Sequence, residues 1–405
     1  MSRGRLVFIG FSLTTVLFIT STTMLAANNR QSDDGSDSLY KYLSVFTEVF
    51  SLVNRAYVDE LDPESLMSGA FEGAVDALDP FSLYIPPEQV ETYQAALEVG
   101  KRHSGIVLLK ERGVAYVVAV EEGSPAAQAK IESGHILAEI QGLRTRQTPL
   151  VEIQSILAGE AGTEITVERI QPQGQKTTVR FKLAEYTPPA VELGVRQGVA
   201  VLRLPGFHPA TPASVESSLR ALTTGSETLP ELAAGDRLVI DLRGVAGGDP
   251  QAAYQVAGFF VNGELGALTS REKVLEAFAG EAEPLWQGRL VVLVDRGTQG
   301  AAEVLATVLR QSAGAKLVGE RSFGHSGRQR LIELSNGGRL QVTDAFFTGP
   351  DHQPINSGLE PDVSIRPAFA DADSETGPAT DEVMERGLEV LLEEPAEEIE
   401  DKAAA

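Results

Sequence analysis

One short stretch of the sequence combines a buried strand, a glycine-containing elbow and the start of a helix. It reads VLVDRGTQGAAEV and covers residues 292–304. In hydrolases, an elbow of this kind presents a nucleophile above a sheet, beside helix N–H groups that can bind an oxyanion. Here the elbow offers only Thr298, Gln299 and Gly300. The pattern predicts an active site with an unusual nucleophile, a site that has lost its nucleophile, or a plain turn.

The composition argues against several other kinds of chemistry. The chain has a formal charge of −23, whereas binding to nucleic acid requires clustered Lys and Arg to neutralise phosphates. It contains no cysteine, which excludes disulfides, thiolate catalysis and Cys-ligated metals. Its five histidines are scattered without a metal-ligand spacing, and no phosphate-binding glycine motif occurs. We therefore expect no metal, no cofactor and no nucleic-acid partner.

The N-terminus predicts export from the cytoplasm. Arg3 and Arg5 precede an uncharged run from Leu6 to Asn29, which is long enough to span a bilayer. The arginines would keep the start of this run in the cytoplasm. A cleaved signal peptide is the competing interpretation. In either case we expect the remaining chain on the periplasmic face, held at the inner membrane by residues 6–27 if the segment is retained.

Hydrophobic patterning divides the chain into segments. Residues 104–185 alternate short β-rich runs with turns and two helical pieces, which is typical of a small β-barrel-like module. Residues 191–367 alternate hydrophobic strands with helices, which favours an α/β core. The predicted segments are a signal anchor or signal peptide (1–29), a linker (30–38), a helical segment (39–102), the β-rich module (103–186), the α/β core (187–368) and an acidic extension (369–405) with an amphipathic helix at 381–394.

Several motifs, in the right order, resemble those of the carboxyl-terminal processing, or tail-specific, serine proteases. LDPFSLY resembles the family's LDPxSxY turn, and GSPAAQAKIESGHILAEIQG is similar to a PDZ-domain segment. LVIDLRGVAGG resembles the DLRxNxGG strand and turn, and LVGERSFGHSGRQ and INSGLEPDVSI follow in family order. The resemblance runs from about Leu43 to Ile365. It implies an exported serine protease with an N-terminal helical segment, an inserted PDZ domain and an α/β protease core of the ClpP/crotonase-like type.

The family's chemistry requires a serine nucleophile and a neutral lysine that serves as general base. When Gly297 and Glu303 are aligned with the family's G-[ST]-A-S-A-S-E, the serine position falls on Gly300. The lysine of FGKG falls on His325, and the separation of 25 residues is the one that the family uses. The family's supporting glutamine is present as Gln329. The resemblance thus implies a degenerate member in which both dyad residues are replaced.

Three interpretations of the elbow remain open. In the first, the protein is a pseudoprotease whose fold is kept for binding. In the second, Thr298 or Ser326 serves as a relocated nucleophile with His325 as its base, although a threonine before a helix is typical of an N-cap. In the third, a partner subunit completes the catalytic site.

The resemblance also implies residues that contact a peptide. The amide of Gly247, in the turn GVAGG, would donate to an oxyanion, with the amide of Ala301 as the second donor. A PDZ domain binds an extended peptide as an added strand and holds its carboxylate in a loop. The corresponding loop consists of Ser104, Gly105, Ile106 and Val107. The family favours glycine at position 107 and aspartate at the position of His135, so peptide binding is expected to be weaker or of altered specificity, unless the module is only a spacer.

We therefore predict a cell-envelope member of this family that is a catalytically inactive pseudoprotease. It would bind unfolded or C-terminal peptide segments of exported proteins, and its other partners would be an active relative or a second copy of itself. The alternative is an active serine endopeptidase that processes exported proteins near their C-termini through a relocated nucleophile.

Overall fold

The computed structural model describes residues 34–99, 103–224, 236–271, 273–366 and 381–393. The chain divides into two compact units, Met1–Ala70 and Phe71–Ala405. The predicted anchor or signal at residues 1–29 lies outside the described residues. Within the part of the chain that is described, no helix is both long enough and apolar enough to cross a membrane.

The predicted N-terminal helical segment is confirmed, but its first helix begins at Asp34, inside the stretch 30–38 that was predicted as a linker. Asp62 precedes the second of them, and its carboxylate accepts hydrogen bonds from the amides of Glu64 and Ser65, which is how an N-cap residue satisfies free amides. A 3₁₀ turn, Pro87–Gln89, leads into the third helix. The elements are α1 (Asp34–Ala56), α2 (Pro63–Asp76), β1 (Leu83–Ile85) and α3 (Val90–Val99).

The β-rich module is an antiparallel sheet with two short helices, as the PDZ resemblance implied. Apolar and polar residues alternate along its strands, and the apolar face packs around Val117, Leu137 and Val167. The sheet has the order β2-β3-β4-β6-β7, with β5 beside β4. Its elements are β2 (Ile106–Glu111), β3 (Val114–Val120), α4 (Pro125–Gln128), β4 (Ile136–Ile140), β5 (Leu143–Arg144), α5 (Leu150–Leu157), β6 (Glu164–Ile170) and β7 (Lys176–Lys182).

The α/β core is built on a second sheet whose central strands are parallel and buried on both faces. Its order is β17-β14-β13-β10-β9-β8, and β8 alone runs antiparallel to its neighbour among the described strands. Strands covered on both faces are expected to be continuous runs of Val, Ile and Leu, as RLVID and RLVVLV are. The elements of the core are β8 (Glu192–Arg196), β9 (Val199–Arg203), α6 (Thr211–Thr224), β10 (Arg237–Asp241), α7 (Pro250–Ala257), β11 (Gly263–Ser270), β12 (Lys273–Gly280), β13 (Arg289–Val294), α8 (Ala301–Ser312), β14 (Lys316–Gly319), β15 (Gly327–Glu333), β16 (Arg339–Phe347), β17 (Val363–Ser364) and α9 (Glu382–Glu393).

A third, antiparallel sheet contains β1, β11, β12, β15 and β16, and the sequence patterning did not predict β11, β12 or β15. These strands lack a continuous apolar run. Gly263–Ser270 contains two glycines, and most residues of Lys273–Gly280 are exposed. They are held in the sheet by pairing: β11 pairs with β12 and with β16, and β15 pairs with β16. The sequence pattern predicted β16 itself as a strand.

The C-terminal helix α9 was predicted, but only as part of an extension beyond the core. In the structure it covers one face of the parallel sheet, where Val383, Leu388 and Leu391 pack against residues of β10 and β13. Arg243 anchors its start, because its Nη1 and Nη2 donate to the two carboxylate oxygens of Asp381 at 2.7 and 2.9 Å. The helix is therefore a structural layer of the core.

We expect Leu388→Ala to destabilise the protein by about 2–5 kcal/mol, because it removes a side chain that is 2% exposed and leaves a cavity above β13. The matched control is Leu392→Ala, the same change one turn later at a side chain that is 47% exposed, which should cost no more than about 0.5 kcal/mol. The free energy of unfolding from a urea titration measures both. Equal effects would show that α9 does not pack on the sheet in solution.

Candidate functional site

Gly300 occupies the turn between β13 and α8 in a backbone conformation that disfavours side chains. Its φ is +65° and its ψ is −117°. Such strain is the mark of a strand-to-helix elbow that presents a nucleophile. A Cβ atom added here would lie 3.5 Å from the Cα of Gly247, which is an ordinary contact. The chain thus retains the elbow and the room for a nucleophile, without the nucleophile.

Neither alternative hydroxyl has the geometry that the sequence analysis considered. Thr298 is 0% exposed, and its Oγ1 donates to the carbonyl of Leu242 at 3.0 Å while accepting from the amide of Asp295 at 2.9 Å. Thr298 therefore hydrogen-bonds to the backbone of the elbow and does not cap α8, whose N-cap is Gly300. The prediction that Thr298 is the N-cap was wrong. Ser326 is 3% exposed and donates to the carbonyl of Phe347 at 2.6 Å. Both hydroxyls hold backbone groups in place.

Glu303 forms hydrogen bonds both to the elbow and to the loop that carries His325. Its buried carboxylate accepts from the amides of Gly300 at 3.1 Å, Gly324 at 2.6 Å and His325 at 2.9 Å, and also from the hydroxyl of Ser322. Burial raises the pKa of Glu303 above its usual value, although these four donors favour the charged form. The sequence identifies Glu303 only as a match to the family motif and does not predict this role.

His325, which the family resemblance places at the base position, contacts the side chains of Phe81 and Gln329. Its ring stacks on Phe81 with centroids 3.5 Å apart, and its Nε2 lies 3.2 Å from Nε2 of Gln329. The structure thus brings together His325 and the predicted supporting glutamine. Burial lowers the pKa of His325 to about 4, so the imidazole is neutral at neutral pH. Phe81, from the LDPFSLY turn, was not predicted as a site residue.

The two predicted oxyanion donors lie beside the elbow. The backbone nitrogen of Gly247 is 3.7 Å from the position that a Cβ at Gly300 would take, and Ala301 is the first residue of α8. Among the described residues, neither amide has a hydrogen-bond acceptor. Ala301 lacks an acceptor because the first amides of a helix have no partner within it, while Gly247 lies in the turn before α7. Both amides can therefore bind an acceptor from outside.

Gly300 and His325 line a cavity of about 510 Å³ that also reaches the PDZ loop. Three of the four predicted loop residues, Ser104, Ile106 and Val107, line it. Gly105 is absent from the wall, since it has a φ of +77° and lies against Ser124. The remaining lining residues are Phe81, Tyr93, Leu108, Gln154, Leu157, Ala158, Gly247, Gly248, Pro250, Gln299, Ala301, Ser326, Gly327, Arg328, Gln329, Gln341 and Phe347.

Two departures from the family pattern in the PDZ module have structural reasons. Val107, where the family favours glycine, is buried in a cluster that includes Ala246 and Phe323 of the core. His135, where the family has aspartate, accepts from the amide of Glu132 through Nδ1 at 3.1 Å. Burial lowers the pKa of His135 to about 4, which keeps this nitrogen unprotonated. Both residues therefore stabilise the module in its present position.

Comparison with protein families assigns three parts of the chain. Residues 198–365 match peptidase family S41, residues 8–89 match the N-terminal domain of the activating protease CtpB, and residues 116–169 match a PDZ domain. These matches cover the α/β core, the N-terminal region and the β-rich module in the predicted order.

Individual relatives extend the similarity over most of the chain. A carboxy-terminal-processing protease of Bartonella bacilliformis is 26% identical over 374 residues, which cover 90% of this chain and 83% of the relative. A carboxyl-terminal-processing protease of Picosynechococcus is 28% identical over 379 residues, covering 86% and 89%. A solved photosystem II D1 C-terminal processing protease matches with a TM-score of 0.63 and 25% identity, covering 79% of this chain and 92% of that structure.

The neutral imidazole of His325 can be tested by its titration. Because burial lowers its pKa from 6.5 to about 4, the unfolded state binds more protons between these values, and His325 reduces stability as the pH falls from 6.5 towards 4. We expect its ring signals to titrate near pH 4 in an NMR series. His325→Gln and His135→Gln assign the two low-pKa signals. A midpoint near 6.5 for His325 would contradict the buried, stacked position.

Proposed function

We propose that this chain, which matches peptidase family S41 over residues 198–365 and is similar to carboxyl-terminal processing proteases over most of its length, is a catalytically inactive member of that family. It binds unfolded or C-terminal peptide segments in the cavity beside its elbow. The core and the PDZ module would both contact the peptide, and neither would cut it.

The observation that carries this proposal is the glycine at the elbow. Acyl transfer by this family requires a side-chain hydroxyl that attacks the peptide carbonyl, and Gly300 has none. The hydroxyls of the two alternatives, Thr298 and Ser326, donate hydrogen bonds to backbone carbonyls, and both residues are almost fully buried. A neutral His325 could accept a proton, but among the described residues its ring has no hydrogen bond to a hydroxyl.

The surroundings of the elbow are those of an enzyme that has lost its dyad. There is room for a side chain at Gly300 without a clash. The Oε1 atom of Gln329 is buried without a hydrogen-bond partner, next to His325. A lysine at position 325 would supply the missing donor, and the burial that lowers the pKa of His325 would also favour a neutral lysine.

The cavity supports the binding half of the proposal. It runs from the PDZ loop at Ser104 to the amides of Gly247 and Ala301, with apolar walls between them. PDZ domains and proteases of this family both act on peptides or C-terminal segments, and PDZ domains do so by adding a strand. An active relative or a second copy of the chain would be a further partner.

The proposed location is the periplasmic face of the inner membrane. It rests on the sequence of residues 1–29, where Arg3 and Arg5 precede the uncharged run. Exported proteins with unfolded or frayed C-termini are accordingly the proposed ligands.

We expect the native chain to leave an unfolded model substrate such as reduced casein intact. The double variant Gly300→Ser/His325→Lys should cleave it, because it restores the nucleophile and a desolvated base. The matched control is Gly300→Ala/His325→Lys, which has the same backbone strain at position 300 but no hydroxyl. Cleavage by the serine variant should exceed that of the control at least tenfold.

The opposite result would be cleavage by the native chain. If Ser326→Ala or Thr298→Ala then abolished cleavage while the melting temperature stayed unchanged, the protein would be an active endopeptidase with a relocated nucleophile.

A further inference from the structure

Gln299 places a polar side chain in the wall of the cavity beside the elbow. The residue is 5% exposed and lines the cavity beside Gly300. Its backbone amide donates to the carbonyl of Val245, but its carboxamide has no hydrogen-bond partner among the described residues. The buried side-chain atoms that lack a partner among the described residues do not include those of this carboxamide, so it is open to the cavity, where it can hydrogen-bond to a ligand.

Gln299 and Gly300 together replace the Ala-Ser pair of the family's G-[ST]-A-S-A-S-E. The change removes a hydroxyl at one position and adds a carboxamide at the preceding one. Gly300 leaves open the space that the serine would fill, since nothing lies closer than 3.5 Å to its missing Cβ. The carboxamide of Gln299, which can form hydrogen bonds but is not a nucleophile, thus lies next to position 300, where the family has its serine.

The other donors around this space favour an anion. The free amides of Gly247 and Ala301 border it, and Ala301 opens the 12-residue helix α8, whose dipole places partial positive charge at this end. Glu303 lies in the same turn, but it is not in the cavity wall, and its carboxylate is occupied by four donors.

The charge of the cavity wall differs from that of the whole chain. Although the protein has a formal charge of −23, none of the described residues that line the cavity is Asp or Glu. Arg328 is the one Lys or Arg among them, and it pairs with Asp344 at 2.8 Å. An anionic group therefore meets no charge repulsion from the wall itself, beside apolar surface formed by Leu108, Leu157 and Phe347.

We propose that the elbow of this chain is a receptor for the free C-terminal carboxylate of a peptide. One carboxylate oxygen accepts from the amides of Gly247 and Ala301, and the other occupies the space of the missing hydroxyl and accepts from the carboxamide of Gln299. The apolar wall holds the last side chains of the peptide. This inference rests on the proposed function, because it names the ligand of the same cavity and requires that the ligand is not cut.

The free carboxylate has two sources. Every protein chain ends in one, and cleavage of a peptide bond with water leaves one on the acyl fragment. The proposed site recognises the carboxylate itself, whichever source supplies it.

The test uses the full chain and two fluorescein-labelled decapeptides of one neutral sequence ending in Val-Ala-Leu. One has a free C-terminal carboxylate and the other a C-terminal carboxamide, and fluorescence anisotropy gives both dissociation constants. We expect the free acid to bind at least tenfold more tightly than the carboxamide.

Three variants show which residue binds the carboxylate. Gln299→Ala should reduce the preference for the acid to less than threefold. Gln299→Glu should abolish acid binding and spare the carboxamide peptide, because it places a like charge beside the ligand. Gln154→Ala is the matched control, since it makes the same change on α5 of the PDZ module in the wall of the same cavity, and it should keep the preference.

Each other outcome is decisive. Equal affinity for the two peptides, or a preference that survives Gln299→Ala in a folded variant, overturns this inference and leaves peptide binding intact; in the second case the PDZ loop holds the carboxylate. If neither peptide binds, or if the native chain cuts them, the proposed function itself fails.

Discussion

The buried carboxylate of Glu303 is the interaction on which the site depends. It joins the elbow at Gly300 to the loop of Ser322, Gly324 and His325, two segments that come from different strands of the core. A carboxylate removed from water is stable only when donors surround it, and here four donors do so. Because any shift of either segment would break one of these bonds, the elbow and the base position keep a fixed separation whether or not they catalyse.

The same packing sets the conformation of the elbow. The backbone of Gly300 and the buried position of His325 beside Phe81 and Gln329 belong to the packing of the core. Glycine adopts a φ of +65° without the strain that a side chain would add.

Val107 and Gln299 shape the cavity beside the elbow. Val107 packs the PDZ loop against Ala246, next to the Gly-Gly turn, so that the carboxylate loop and the elbow open into one space. Gln299 adds a free carboxamide to that space. Although the protein is strongly acidic, none of the described residues in this wall is Asp or Glu, which favours the carboxylate ligand that we propose.

The sequence by itself indicated the order of the modules through the periodicity of its strands and helices, and the family resemblance implied the roles of Gly300, His325 and Gln329. It could not determine the roles of Glu303, Phe81 or α9, nor the pairing of β11, β12 and β15, since each depends on residues distant along the chain. It also left Thr298 and Ser326 open as nucleophiles, because a hydroxyl's availability depends on its partners. Only the tertiary structure decided that these two hydroxyls bind carbonyls, while Gln299 faces the cavity without a partner.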